Sequence, residues 1–141
     1  MSEFLSSFAE RFARLDASTL GHLSELYSDD ILFRDPLHEV RGLPALQKYF
    51  AALYANVDEL RFEFHGIEQS AVDAGYLRWT MRYRHPRLRG GALIAVEGCS
   101  YLRWRDGMVC QHRDYFDAGA LLYEHVPVLG TLIGWLKRRL A

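Results

Sequence analysis

Three side chains in this sequence carry the groups that proton transfer needs. His112 and Asp114 stand two apart in VCQHRDYF (109–116), so on a strand they point to the same side. An imidazole beside a carboxylate works as a base with its orienter, or as an acid with a base. The bland reading of the pair is an Asp114 held by a nearby arginine or a tyrosine hydroxyl. The third is Asp35, which shares a strand face with Ile31 and Phe33 by period two. A carboxylate on an apolar face is costly unless paired, and dry surroundings favour its protonated form, which suits a general base. Asp35 also precedes Pro36, and an Asp before a proline commonly bonds local backbone N–H groups in a turn. Both readings of Asp35 stand at this stage. Other chemistries have less to work with. His22, His38, His65, His85 and His125 lack the spacing a metal requires, and two cysteines, Cys99 and Cys110, make neither a zinc cage nor a disulfide framework. Gly90-Gly91 follows basic residues and opens no helix, so no phosphate loop is indicated. We expect no metal and no cofactor.

These residues must be positioned by helices first and strands after. Phe4, Leu5, Phe8, Phe12 and Leu15 recur at helical spacing, and Asp16 or Ser18 can cap a second helix carrying Leu20, Leu23, Leu26 and Tyr27. Asp29 and Asp30 end that helix, and a short strand, Ile31 to Asp35, stops at Pro36. The segment 38–42 reads as a return strand and turn. Gly42 to Val57 is the clearest helix, with Pro44 near its start where a missing N–H costs least. After Asp58 the period becomes two, through Leu60, Phe62 and Phe64 and again through Trp79, Met81 and Tyr83. The long strand 92–104 has Ile94, Val96, Gly98, Ser100, Leu102 and Trp104 on one face, and Val109 to Phe116 returns beside it. Arg34, Arg82, Arg84, Arg103 and Arg113 fall on the opposite strand faces. Helices followed by antiparallel strands make an α+β fold, a curved sheet closed by helices, whose interior is a natural small-molecule site. Tyr54, Trp79, Met81 and Tyr83 would be core or pocket wall.

The Asp106-Gly107 hairpin sets a register that bears on the chemistry. A two-residue turn places Asp114 opposite Cys99, and a three-residue loop with Gly107 in a bulge places it opposite Ser100. Alternation does not settle which face of Val109 to Phe116 points inward; with Asp114 inward, Ser100 on the apolar face favours the bulged loop, with the two facing each other inside the fold.

Composition sets the outer limits. The chain has 141 residues, half of them apolar, and a formal net charge of −1, which fits one globular domain and argues against a dedicated nucleic-acid binder. Residues 1–141 are read as a single domain, with 118–141 a helical extension. The N-terminus does not read as a signal peptide, and no apolar run reaches the roughly 18 residues of a membrane span, so a cytoplasmic protein is expected. In the extension, Asp117 can cap a helix that Pro127 and Gly130 break in two. Its second half places Leu129, Leu132, Ile133, Leu136 and Leu140 on one stripe, with Lys137, Arg138 and Arg139 at the end. It either covers the core or the pocket mouth, or lies on a membrane surface as a peripheral contact.

The segment YSDDILFRDPLHEVRG (27–42) resembles a signature of the nuclear transport factor 2-like superfamily, in its SnoaL-like polyketide cyclase and ketosteroid isomerase-like branches. Tyr27, Asp29, Asp30, Asp35, Pro36 and Gly42 carry the likeness, together with the order of elements and the final HRDYFD (112–117). The resemblance implies a cone-shaped α+β fold, N-terminal helices on a curved, mostly antiparallel sheet, and pairing into a homodimer through the outer sheet face. It implies that His112, Asp114 and Phe116 face the pocket, which Phe33, Tyr54, Trp79, Met81, Tyr83, Val96 and Ser100 would line. In ketosteroid isomerases the Asp before the Pro is the general base, a place that Asp35 takes here. Their oxyanion tyrosine falls at about Arg11 or Phe12, and their protonated Asp at about Ser100, which argues against steroid isomerisation. The function implied is a cofactor-free isomerase or cyclase acting on an apolar carbonyl compound, with Asp35 or Asp114 as base, His112 assisting and Ser100 holding the oxygen. The alternative is a non-catalytic binder of a hydrophobic or lipid-like ligand.

Overall fold

The computed structural model describes residues 2–121 and 127–141. Helix α1 (Glu3–Ala13) starts at Ser2, whose hydroxyl accepts from Leu5 N at 3.1 Å, and its stripe of Leu5, Phe8, Ala9 and Phe12 is buried. A 3₁₀ segment (Leu20–Glu25) leads into β1 (Tyr27–Arg34), then β2 (Glu39–Arg41) and α2 (Leu43–Asn56). Four long strands follow: β3 (Asp58–Ala71), β4 (Ala74–Arg84), β5 (Ile94–Arg105) and β6 (Met108–Phe116), before α3 (Ala118–Leu121) and α4 (Pro127–Leu140).

All six strands form one sheet in the order β2-β1-β6-β5-β4-β3. Among the described residues only the β1–β6 pair is parallel. One face of the sheet alternates inward as expected, with Leu77, Trp79, Met81 and Tyr83 from β4 beside Ile94, Val96, Ser100 and Leu102 from β5, all buried. Helices α1 and α2 close this face, and Leu5, Phe8, Phe12, Leu46 and Phe50 complete the core.

Three expectations about the elements are corrected. The second N-terminal helix is a 3₁₀ segment, and Tyr27, Asp29 and Asp30 lie inside β1 rather than at a helix end. Tyr27 is 1% exposed and is drawn into the sheet by its pairing with Val109, which outweighs the helical spacing upstream. The hairpin after β5 is a two-residue turn, not a three-residue loop. Arg105 pairs with Met108, and Asp106 and Gly107 take φ of 53° and 76°, as a type I′ turn requires. The extra residue sits further along, where Arg103 pairs with Gln111 but Trp104 with Val109, so Cys110 bulges. Ser100 still pairs with Asp114, because the bulge makes up the one-residue shift that the turn does not. Finally, the tail is two helices with Pro127 at the start of the second, as expected, but Gly130 is carried within α4 and does not break it; the connection between the two tail helices lies outside the described residues.

Gly98 in β5 has a structural reason. A Cβ built there would meet three ring atoms of Trp79 at 2.2, 2.5 and 2.6 Å. The indole lies flat across the Gly98 backbone, which no other residue permits.

Candidate active site

Five side chains from four strands form one hydrogen-bonded chain on the inner face of the sheet. Tyr27 on β1 joins His112 on β6, hydroxyl to Nδ1, at 2.8 Å. The Nε2 of His112 lies 2.6 Å from Asp114 Oδ1. The Ser100 hydroxyl donates to the same Oδ1 at 2.5 Å, and Trp79 Nε1 donates to Ser100 Oγ at 2.8 Å. The polarity closes without conflict when His112 carries its proton on Nε2. Tyr27 then donates to Nδ1, and His112 and Ser100 both donate to Oδ1. Asp114 Oδ2 has no hydrogen-bond partner among the described residues. One oxygen is held by two donors, and the other is unpartnered among the described residues.

The register explains why these residues meet. Leu102 and His112 pair across β5 and β6, Ser100 and Asp114 pair in the next inward row, and Gly98 and Phe116 in the row after. Phe33 on β1 pairs with His112 from the other side, their rings 4.8 Å apart, and Phe8 and Phe12 of α1 cover the imidazole at 6.3 and 6.2 Å. His112 is thus 3% exposed, while the Asp114 side chain keeps 15%. The carboxylate is the member of the network that opens outward.

The space above Asp114 is small. A cavity of about 10 Å³ is lined by Phe8, Phe12, Phe62, Phe64, Leu77 and Trp79 together with Ser100, His112 and Asp114. That is room for about one water. A second, wholly apolar recess of about 150 Å³ lies further along the same strands, between Leu53 of α2, Val57 just after it, Leu60 of β3, Met81, Tyr83 and His85, with Leu88 beyond. Phe62, which lines the cavity, pairs with Met81, which lines the recess, so the two spaces adjoin along β3 and β4.

The residues singled out from the sequence divide accordingly. Ser100, His112 and Asp114 are brought together, with Trp79 bonded to them and Phe33 against the imidazole. Phe116 lies 6.3 Å from Trp79, centroid to centroid, and Val96 is buried beside Met81. Met81 and Tyr83 line the recess rather than the cavity. Tyr54 lines neither of the two, and its hydroxyl donates to Leu15 O at 3.3 Å. Asp35 takes its turn geometry. Its Oδ1 accepts from the backbone of Leu37 and His38 at 2.8 and 2.7 Å, and Oδ2 accepts the Tyr49 hydroxyl. His38 Nδ1 adds a contact at 3.2 Å. Both oxygens of Asp35 are therefore engaged, and it is absent from the cavity wall. Ser100 gives its one proton to Asp114, so it orients the carboxylate rather than a ligand oxygen. Tyr27 and Gly98 are the members that reasoning from sequence missed. Tyr27 lies 85 positions from its partner, and the glycine's only signal was a gap in an otherwise bulky inward face.

Burial pushes the Tyr27 hydroxyl well above the ordinary tyrosine range, and the charge of Asp114 adds to it. Burial also raises Tyr49, helped by its bond to Asp35, and lifts Tyr54 and Tyr83 to about 12. The folded chain holds these phenol protons where the unfolded chain releases them, near a pH of about 10. Stability is therefore full below about pH 10 and falls as pH rises through the raised values. Urea midpoints at pH 8 and 11 should differ by more than in Tyr27→Phe. A phenylalanine there has no proton to lose, though it leaves His112 Nδ1 unpaired and costs about 1–3 kcal/mol at neutral pH.

Comparison with known proteins agrees with this architecture. The family of SnoaL-like domains matches residues 7–112 of the chain. Among solved structures, a candidate SnoaL-like polyketide cyclase from a Jannaschia species superposes with a TM-score of 0.73 at 14% identity, covering 86% of this chain and 93% of that one. A protein with a ketosteroid isomerase-like fold from Catenulispora acidiphila, solved with trimethylamine, gives 0.71 at 16% identity over 86% and 91%. A nuclear transport factor 2-like protein of unknown function from an Exiguobacterium species gives 0.67 at 19% identity over 82% and 98%. At these identities the likeness is one of fold. No curated protein matches the chain.

Proposed function

The chain belongs to the family of SnoaL-like domains, and from that premise we propose that it is a small-molecule enzyme that moves a proton beside the carbonyl of an apolar substrate, with Asp114 as the general base. The observation that carries this is the divided carboxylate: Oδ1 of Asp114 is fixed by His112 and Ser100, while Oδ2 is unpartnered among the described residues and borders an aromatic cavity. A base must be held in place and yet have a free lone pair, and Asp114 meets both needs.

In this reading Oδ2 takes a proton from the carbon next to the carbonyl, and the electron pair passes into the enolate. Returning that proton to another carbon isomerises the substrate. Attack of the carbanion on a second carbonyl closes a ring, and the alkoxide that forms takes the proton back from Oδ2. His112 positions Asp114 through Oδ1, and Tyr27 fixes the tautomer. Among the described residues no further hydrogen-bond donor stands in the cavity wall for an enolate oxygen, since Ser100 and Trp79 are committed within the network. Substrates whose enolates are stabilised internally fit best, namely 1,3-dicarbonyl compounds on an apolar ring system. A substrate reaches Asp114 from the 150 Å³ recess by displacing the Phe62 and Phe64 rings that line the cavity.

The two carboxylates separate in one experiment. Asp35→Asn keeps an oxygen to accept the turn's N–H groups, so turnover of a 1,3-diketone panel should stay within a few-fold of the parent chain. Loss of turnover in Asp35→Asn with retention in Asp114→Asn would transfer the role of base to Asp35. The small cavity favours one other reading, a non-catalytic binder whose recess takes a hydrophobic ligand and whose polar network only holds the sheet together. That binder predicts ligand affinity without turnover of any carbonyl compound.

A further inference from the structure

Helix α4 carries four of the large apolar side chains that the structure leaves exposed: Leu132 at 51%, Trp135 at 48%, Leu136 at 45% and Leu140 at 87%. Its other edge meets the start of the tail at Asp117 and Gly119. Lys137 Nζ pairs with Asp117 Oδ2 at 2.5 Å, and Gly119 lies close to Ile133 and Lys137. Leu132, Leu136 and Leu140 follow one another at steps of four, and Trp135 lies one step round from them, so the outward side is a continuous apolar stripe.

The charges beside this stripe are all of one sign. The helix, PVLGTLIGWLKRRL, has no acidic residue, and Lys137, Arg138 and Arg139 occupy its last turn. The Arg139 guanidinium sits over the Trp135 ring, 5.3 Å from its centroid. We propose that α4 docks the chain onto an anionic lipid surface, with Leu132, Leu136 and Leu140 in the acyl boundary, Trp135 at the headgroup level and Arg138 and Arg139 reaching the lipid phosphates. A tryptophan beside cations at the rim of an apolar stripe suits the bilayer interface, where one end of the ring is dry and the other wet. With 14 residues the helix is too short to cross, so it lies in the surface. A second copy of this chain fits less well. It would set two acid-free, tricationic helices against each other with no carboxylate on either to answer the charge.

Docking also orients the molecule. Strand β6 ends at Phe116 opposite Gly98, near the start of β5, where Ile94 pairs with Tyr83 of the apolar recess. The chain therefore leaves the sheet for α3 and α4 at the end where the recess lies, and a docked α4 brings that end toward the lipid. The docking does not depend on Asp114 being a base, and either reading can fail alone.

The test is sedimentation of the full chain with vesicles of phosphatidylcholine, pure or doped with phosphatidylglycerol. We expect binding to the doped vesicles only, a blue shift of emission that Trp135→Phe removes, and release by high salt. Each cation near an anionic surface contributes about fivefold, so Arg138→Gln with Arg139→Gln should weaken partitioning about thirtyfold. Leu132→Glu with Leu136→Glu should abolish it. No binding to doped vesicles overturns the proposal, as does equal binding to both kinds. Concentration-dependent dimers that Leu132→Glu disperses, without vesicle binding, would assign the face to a second copy.

Discussion

Replacing Asp114 by Asn should lower turnover by about 10²- to 10⁴-fold, the usual contribution of a positioned general base, while ligand affinity changes little. The amide keeps one oxygen in the place of Oδ1, where it still accepts from His112 and Ser100. The fold therefore survives. What changes is the second position, where an NH₂ group that cannot take a proton replaces the unpartnered Oδ2. That group gains no acceptor in the aromatic cavity, so the variant also loses about 1–3 kcal/mol of stability. The split between binding and turnover is the informative part. A merely structural Asp114 would show the stability loss with affinity and turnover falling together. Steady-state rates beside calorimetric affinity for the same ligand separate the cases.

The largest stability effect should come from the smallest substitution, Gly98→Ala. Its methyl would sit 2.2 Å from the nearest ring atom of Trp79, inside any allowed contact. The indole cannot retreat cheaply. It is 2% exposed, it packs edge-on against Phe62, and its Nε1 is tied to Ser100 Oγ. Overpacking of this kind costs about 1–3 kcal/mol, and more when a backbone must move. Any tilt of the indole also pulls on Ser100 and through it on Asp114, so turnover should fall with stability. A double-mutant cycle with Trp79→Phe tests the cause. The smaller ring leaves room for the methyl, so the paired variant should be less destabilised than the sum of the two alone, as expected for residues in direct contact. Additive losses, measured by urea unfolding, would mean that the glycine serves the strand and not the indole.

The sequence made some of this legible for definite reasons. The inward face of β5 alternates over a full strand, and α2 keeps its apolar spacing for four turns, so both elements followed from their periods alone. The 3₁₀ segment did not, because a helix signal of two turns cannot be told from a tighter winding when the next residue, Tyr27, is claimed by a distant strand. The pairing of Ser100 with Asp114 was expected from the apolar face, yet its route was misplaced. Asp106-Gly107 is the standard two-residue turn, and a bulge at Cys110 leaves no mark in composition. Asp35 offered two readings, and the local geometry takes the turn, because two backbone N–H groups lie within reach and Tyr49 closes the other oxygen. Tyr27 as partner of His112 was invisible, since only the parallel pairing of β1 with β6 brings them together. The apolar stripe of α4 was plain in the sequence, but not that it would be left uncovered.

The central claim, that Asp114 moves a proton beside a carbonyl, is tested most directly by solvent isotope exchange. Apolar cyclic 1,3-diketones and β-keto esters would be incubated with the chain in deuterium oxide, and label at the acidic carbon followed by mass spectrometry against the buffer rate. The account predicts exchange above background for at least one compound that binds, and a return to background with Asp114→Asn. A compound that binds in the recess yet exchanges no faster than in buffer, across the whole panel, would contradict it and leave a binding protein.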